Sequence, residues 1–495
     1  MKQNNRRSFF GKLGVMLFTF FMGKVKPLVS KGNDLDLVKR NISLINKVFF
    51  TNGFKVTEVS QNEAIIWTRL CASEKPNPIM HNKGKIKKNN NNFYPVNFDE
   101  KLSVQNMDGA VAATKGKVRV RYGLNGEETI SDWKTAEPSN DFTVHMPISN
   151  LQPGSKYHFQ LEATPLGSDE KTVVEGEFKT AYDPEEPVEV NLTTSTCQYF
   201  WNYDEDNRGF KTYDAMRKLK PDFFVHTGDY VYYDRIGPMV DNLEKARHKW
   251  HAMDGWPSIK EFYQNVPVYM LKDDHDLLKD DVYPDTSPLG EFTLEQGLKV
   301  WQENVPLQDK PYRTFRWGKD LQIWLVEGRE FRTSKENLSE GSRTIWGEEQ
   351  KQWFIDTMEA SDATFKILFS PTPVVGPDRE KKMDNHANQV FEEEGNWLRQ
   401  FLSAKNGAFV VNGDRHWQYY SIDEETGLRE FGAGPVSDAH SGGWSEGDKR
   451  PEHQFLRVNG GFMGIKVFRQ GDIPKIDFRH YDVEGNIMNQ EEFEG

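Results

Sequence analysis

Four short polar clusters carry side chains able to hold metal ions: Thr196-Cys197-Gln198, Gly228-Asp229-Tyr230-Val231-Tyr232, Asp273-Asp274-His275-Asp276 and Gly413-Asp414-Arg415-His416. A thiolate from Cys197, a phenolate from Tyr232 and a carboxylate from Asp229 suit a trivalent iron, because anionic donors stabilise the higher charge. Asp229 has a second oxygen with which to bridge to a neighbouring ion. Tyr232 follows it by three residues, within reach of the same ion if the chain turns there. Asp274 and Asp414 offer the hard oxygens that divalent cations prefer. His275 stands beside Asp274, and an imidazole ordinarily titrates near neutrality, which suits a general acid. Each cluster also has a plainer account: Cys197 as a buried thiol, Tyr232 as one aromatic of the run Tyr230-Val231-Tyr232-Tyr233, and the acids from Asp273 to Asp281 as a solvated loop.

What argues for chemistry is position. Each cluster follows a short apolar run that reads as a buried strand. The candidate strands are Val188 to Ser195, Asp222 to His226, Val266 to Leu271, Leu321 to Val326, Phe365 to Phe369 and Phe409 to Val411, with helical periodicity between them at Gly209 to Lys220 and Gly347 to Ala360. Layered α/β enzymes gather reactive side chains at such strand ends, on loops held by a rigid sheet.

The N-terminal part is patterned differently. Ala64 to Leu70, Lys117 to Gly123, Phe142 to Met146 and Lys156 to Leu161 alternate like strands of a small β-sandwich. Ile148 to Tyr157, a turn before a tyrosine-bearing strand, resembles the corner of a fibronectin type III domain. Cys71, at a strand end, reads as a small buried hydrophobe. His81 to Asn92, with its lysines and four consecutive asparagines, reads as a solvated insertion loop. Asp183-Pro184-Glu185-Glu186-Pro187 is a polar linker. The expected division is a leader at 1–30, a β-sandwich at 45–182 and a catalytic α/β domain at 187–495.

Sixty-three basic against 75 acidic residues give a net charge of -12, which argues against nucleic-acid partners; an anionic substrate must be attracted locally. Two cysteines exclude a disulfide framework. Near the N-terminus, Arg6-Arg7-Ser8-Phe9-Phe10 precedes an apolar run from Leu13 to Met22. This resembles a twin-arginine (Tat) signal, and it implies delivery by the Tat export machinery to the periplasm or the cell exterior. The run is short for a permanent span, so no stable membrane segment is expected in the mature chain.

Taken in order, the four clusters resemble the alkaline phosphatase D family of the calcineurin-like metallophosphoesterases. Pro311 to Gly318, Glu327 to Arg332 and Trp346 to Trp353 add weaker landmarks. The resemblance implies a metallophosphoesterase sandwich of two β-sheets flanked by helices, preceded by an all-β domain. It implies iron(III) held by Cys197, Asp229, Tyr232 and His416, and calcium at a second site with Asp274 and Asp414, zinc, manganese or magnesium being alternatives there. The implied activity is hydrolysis of small-molecule or polymeric phosphomonoesters or phosphodiesters by a metal-bound hydroxide, with His275 as acid and Arg329 and Arg415 steadying the phosphate. Three departures, Tyr233, Asp276 and Glu327-Gly328, are expected to surround the substrate and leave room for another ester, such as a sulfate ester or a polysaccharide substituent. A catalytically silent surface-binding protein is the reading from a different class.

Overall fold

The computed structural model describes residues 47–87, 90–337, 343–379 and 381–495. The expected leader at 1–30 lies outside the described residues. No described helix is long and apolar enough to cross a membrane.

Three parallel strands, β1 (Val190–Ser195), β2 (Phe223–His226) and β3 (Val268–Met270), form the middle of a nine-stranded sheet. A second parallel trio, β4 (Leu321–Leu325), β5 (Phe365–Ser370) and β6 (Ala408–Asn412), lies in a seven-stranded sheet. Alternation along these strands explains the layering. Val190, Leu192, Phe223 and Val225 share one apolar core with Ile323, Phe369 and Val411 of the other sheet. Phe224 and Met270, on the opposite face, pack with Tyr213, Ile259 and Phe262, which belong to helices Lys211–Lys218 and Pro257–Tyr263. Trp324, Leu368 and Val410 likewise pack under helices Gly347–Glu359 and Glu392–Ser403. Two sheets with helices on their outer faces are the α/β sandwich read from the sequence, and the all-β region precedes it.

That region is joined to the sandwich through backbone. Thr57 pairs in parallel with Val268, so strands Phe54–Thr57, Glu63–Arg69 and Thr143–Ser149 extend the nine-stranded sheet. Their inner residues Val56, Ile66 and Met146 share a core with Val118, Phe159 and Leu161 of a five-stranded sheet. The fibronectin-like corner takes the form anticipated: the backbone N–H of Gln152 donates to the Tyr157 hydroxyl at 2.9 Å. The core runs on past the 183–187 segment, which Gln61 and Lys319 tie down by bonds to the carbonyls of Tyr182 (3.1 Å) and Glu186 (2.7 Å).

One expectation is corrected. The segment from His81 to Asn92 is not simply a solvated loop, because Lys83–Lys87 pairs with Asn90–Pro95 as a hairpin. The Lys83 ammonium donates to the Tyr203 carbonyl at 2.7 Å, and the Asn202 carboxamide accepts the Phe93 N–H at 2.8 Å. These bonds dock the hairpin, and Phe93 and Tyr94 give it the aromatic content its asparagines conceal.

Candidate metal centre

The ends of β1, β2 and β6 turn sharply. Cys197, Asp229 and Asp414 adopt φ of 51°, 60° and 63°, a left-handed region in which a residue with a Cβ is strained. Such strain persists where the surroundings over-determine it, commonly at functional sites. Here the surroundings are backbone bonds between strand ends: Cys197 N–H to Gly228 carbonyl at 3.1 Å and Gln198 N–H to Asp229 carbonyl at 2.8 Å. The Asp276 carboxylate accepts the N–H groups of Asp229 (2.7 Å), Val231 (2.9 Å) and Asp273 (3.0 Å). One buried carboxylate therefore holds the β2 and β3 loops in register.

The turns bring the candidate ligands together. Donor atoms of Cys197, Asp229 and His416 lie within 4.8 Å of one another. The Tyr232 hydroxyl is 3.0 Å from Asp229 Oδ2 and 3.3 Å from His416 Nε2. Asp229 also groups with Asp274 and His275, and separately with Asp273 and Asp414. Asp229 is thus common to both halves of the cluster, as a bridging ligand must be.

The electrostatics call for cations. Burial, with Asp229 and Asp414 adding to it, pushes the Cys197 thiol well up. Burial and then Asp229 and Cys197 do the same to the Tyr232 phenol, and burial pushes up the carboxyls of Asp229, Asp273 and Asp414. Asp229 Oδ1 and Asp273 Oδ2 are buried without hydrogen-bond partners. Crowded, dry anionic donors with spare lone pairs fit bound metal ions, which reverse this electrostatic cost.

His440, for which the sequence offers no ligand spacing, belongs to the cluster. Its Nε2 stands 2.9 Å from the Tyr232 hydroxyl, and its Nδ1 is 2.8 Å from the Asn202 amide. Asp234, also missed, holds His275 Nδ1 at 2.7 Å. Burial by itself would lower the His275 pKa, but the charges of Asp234, Asp274 and Asp229 outweigh it and push it up. The acidic string is no solvated loop at Asp273, Asp274 and Asp276, which are buried, although Asp280 is exposed.

A cavity of about 530 Å³ opens over the cluster, lined by His275, Asp414 and His416 with Arg235, Arg379 and Lys382. Arg329 and Arg415, expected to face the phosphate, do not line it. Arg329 pairs with Asp273 and approaches Asp274 at 3.6 Å, and Arg415 pairs with Asp414 at 2.6 Å and Asp378 at 2.9 Å. Both guanidiniums are only 1% exposed and lie behind the ligands, where they offset carboxylate charge. The three departures are also turned away from the cavity. Tyr233 accepts a bond from the Trp250 indole at 2.8 Å, Asp276 holds backbone, and Glu327 accepts the N–H groups of Arg329 (2.7 Å) and Glu330 (2.9 Å). A larger groove, about 650 Å³ along Arg121, His158 and Glu175, contains none of these residues.

Comparison with known proteins identifies the family. Residues 192–462, more than half of the chain, match the PhoD-like phosphatase family, and residues 39–182 match the N-terminal domain of PhoD-like phosphatases. A curated relative, alkaline phosphatase D of Bacillus subtilis (strain 168), is 22% identical over 387 residues, which span 66% of this chain and 62% of the relative. The solved structure of PhoD superposes with a TM-score of 0.67 at 17% identity and 90% coverage of both chains. A purple acid phosphatase from yellow lupin (Lupinus luteus) seeds superposes at 0.59, with 11% identity over 91% of this chain and 74% of that one. With one family model matching more than half of it and the model of the family's N-terminal domain preceding that match, the chain belongs to the PhoD-like phosphatase family.

Proposed function

We propose that this protein is an exported, metal-dependent hydrolase of phosphomonoesters, phosphodiesters or both. The observation that carries the reading is the position of Asp229, shared between the Cys197–His416 group, a group with Asp274 and His275, and a group with Asp273 and Asp414. Cys197, Asp229, Tyr232 and His416 would hold iron(III), and Asp229, Asp274 and Asp414 would hold a harder divalent ion, calcium by their all-oxygen character. When bound, two such cations neutralise phosphoryl oxygens and make water nucleophilic at neutral pH.

The chain's own residues supply the rest. His275, fixed through Nδ1 by Asp234, presents Nε2 to the cavity and gives its proton to the departing alkoxide. His440 and Asn202 orient the Tyr232 hydroxyl toward Asp229. Arg329 and Arg415 offset part of the carboxylate charge from behind. Residues 1–30 would direct a folded, metal-loaded chain through the Tat route to the periplasm or the medium.

Matched phosphate and sulfate esters test the reaction. Metal-loaded protein should cleave at least one phosphomonoester or phosphodiester faster than its sulfate counterpart. Hydrolysis of sulfate esters alone, or of neither class, contradicts the proposal.

A further inference from the structure

Two arginines at the cavity have no task in the scheme above. Arg235 follows Asp234 on the loop after β2, and Arg379 lies on the loop after β5, so each sheet contributes one guanidinium to the same cavity. Arg235 is exposed, and among the described residues no carboxylate lies within 4.0 Å of it. Its guanidinium carbon stands 5.9 Å from the centre of the Tyr232 ring, over the edge of the donor cluster.

Arg379 is scarcely better partnered. Its Nε is 3.6 Å from Asp378, whose carboxylate is already bound by Arg415 at 2.9 Å and by the Asn385 amide at 2.8 Å. That Nε is buried without a hydrogen-bond partner, while the side chain as a whole is 39% exposed. Lys382, the third cation of the cavity, is by contrast taken up by Asp281 at 2.6 Å and Asp280 at 3.5 Å.

These two weakly partnered guanidiniums place positive charge at a cavity that Asp280 and Asp414 also line, on a protein of net charge -12. They project the planar donor fork that matches phosphate and carboxylate oxygens. With metal ions held by the donor cluster, the scissile phosphoryl group would be neutralised there, which would leave the two arginines for a different anion on the same molecule. A cavity of about 530 Å³ has the size of a small-molecule site.

We propose, building on the phosphoesterase reading, that Arg235 and Arg379 receive a second anionic group, so that the preferred substrates are small phosphoesters carrying another phosphate or carboxylate beyond the scissile ester. The reaction itself is unchanged. Water would add to phosphorus, the P–O bond to the alcohol oxygen would break with that oxygen taking the His275 proton, the proton lost by the attacking water would restore the imidazolium, and the second group would stay on the departing alcohol.

The test compares alkanediol monophosphates with the corresponding bisphosphates on the full, metal-loaded chain. Both have the same primary alkoxide as leaving group, so a difference reports recognition and not leaving-group chemistry. Non-hydrolysable alkyl phosphonates and terminal bisphosphonates give the equilibrium counterpart, read as inhibition constants or by calorimetry. The bisphosphates should show kcat/KM about tenfold or more above the monophosphates, mainly through KM, and the bisphosphonates should bind tighter by a similar factor. Arg235→Gln and Arg379→Gln should each reduce that ratio, and together bring it toward the roughly twofold statistical advantage of two equivalent ends.

A ratio near two in the wild-type protein, or a high ratio that survives in the double variant, overturns the inference. Absence of turnover on every ester in a protein of verified metal content would instead overturn the phosphoesterase reading. The phosphonate binding ratio would then still decide for or against the two arginines.

Discussion

Nδ1 of His275 lies 2.7 Å from Oδ1 of Asp234, and the other Asp234 oxygen accepts the Asp280 N–H at 3.1 Å. The carboxylate is therefore fixed by backbone and in turn fixes the imidazole, leaving Nε2 as the atom that faces the cavity. Supporting contacts of this kind typically change rate or affinity by about 10–100-fold when removed. Asp234→Asn should lower kcat by about that factor while metal content stays at the wild-type level. Steady-state kinetics with elemental analysis checks this, and an unaltered kcat would remove Asp234 from the account.

His275→Ala removes the acid itself. It should retain both metals and lose about 10²–10⁴-fold in kcat, the usual contribution of a positioned acid or base. The loss should shrink for esters whose alcohol is acidic enough to leave unaided. An equal loss across leaving groups would speak for a role in binding.

Arg329 tests the difference between steadying substrate and supporting ligands. It is fully buried beside Asp273, so Arg329→Met leaves a dry carboxylate without its counter-charge. Breaking such a pair costs about 3–5 kcal/mol. Urea unfolding of the two proteins should show a loss of this order, together with weaker metal retention. A rise in KM at unchanged stability would return Arg329 to the substrate.

His248 gives the fold a dependence on pH. Burial, then the neighbouring Lys249 charge, lowers its pKa from 6.5 to about 3, and it lies in helix Leu243–Met253 with its Nδ1 unpartnered. Between those values the unfolded chain takes up a proton that the native chain refuses. Its contribution to stability is therefore complete above pH 6.5 and is lost as pH falls toward 3. His248→Leu should flatten the decline by an amount on the order of a few kcal/mol, measured as the difference between the two denaturation profiles. Parallel profiles would contradict it.

How much of this was legible in the sequence follows from what is local and what is not. The six strands of the two parallel trios were readable because each is a short apolar run ending in a polar cluster. Cys197, Asp229 and Asp414 could be singled out because they sit directly at those ends. His440 could not, since it reaches Tyr232 across 208 residues and lies in a short turn, Asp438–His440, with no recognisable ligand spacing. Asp234 was hidden for a similar reason, as its partner is 41 residues away. Arg329 and Arg415 are legible as residues near the site, Arg329 either as a phosphate ligand or as structural support paired with Glu327 or Glu330, and the structure pairs it instead with Asp273. Sequence locates a guanidinium at a strand end, whereas the packing of two sheets decides whether it looks into the cavity or lies behind the carboxylates. The hairpin at Lys83–Lys87 and Asn90–Pro95 is obscured by its lysines and asparagines, which read as solvated although the Lys83 ammonium and the Phe93 N–H bond to Tyr203 and Asn202 more than 100 residues away.

The central claim is that Cys197 and Asp229 anchor an iron that is required for phosphoester hydrolysis. Elemental analysis of the wild-type protein and Cys197→Ala, each assayed on the same phosphoester, tests it most directly. The account predicts iron and a second, harder cation in the wild-type protein, and simultaneous loss of iron and activity in Cys197→Ala with the fold retained by circular dichroism. Full activity in an iron-free Cys197→Ala protein would contradict it.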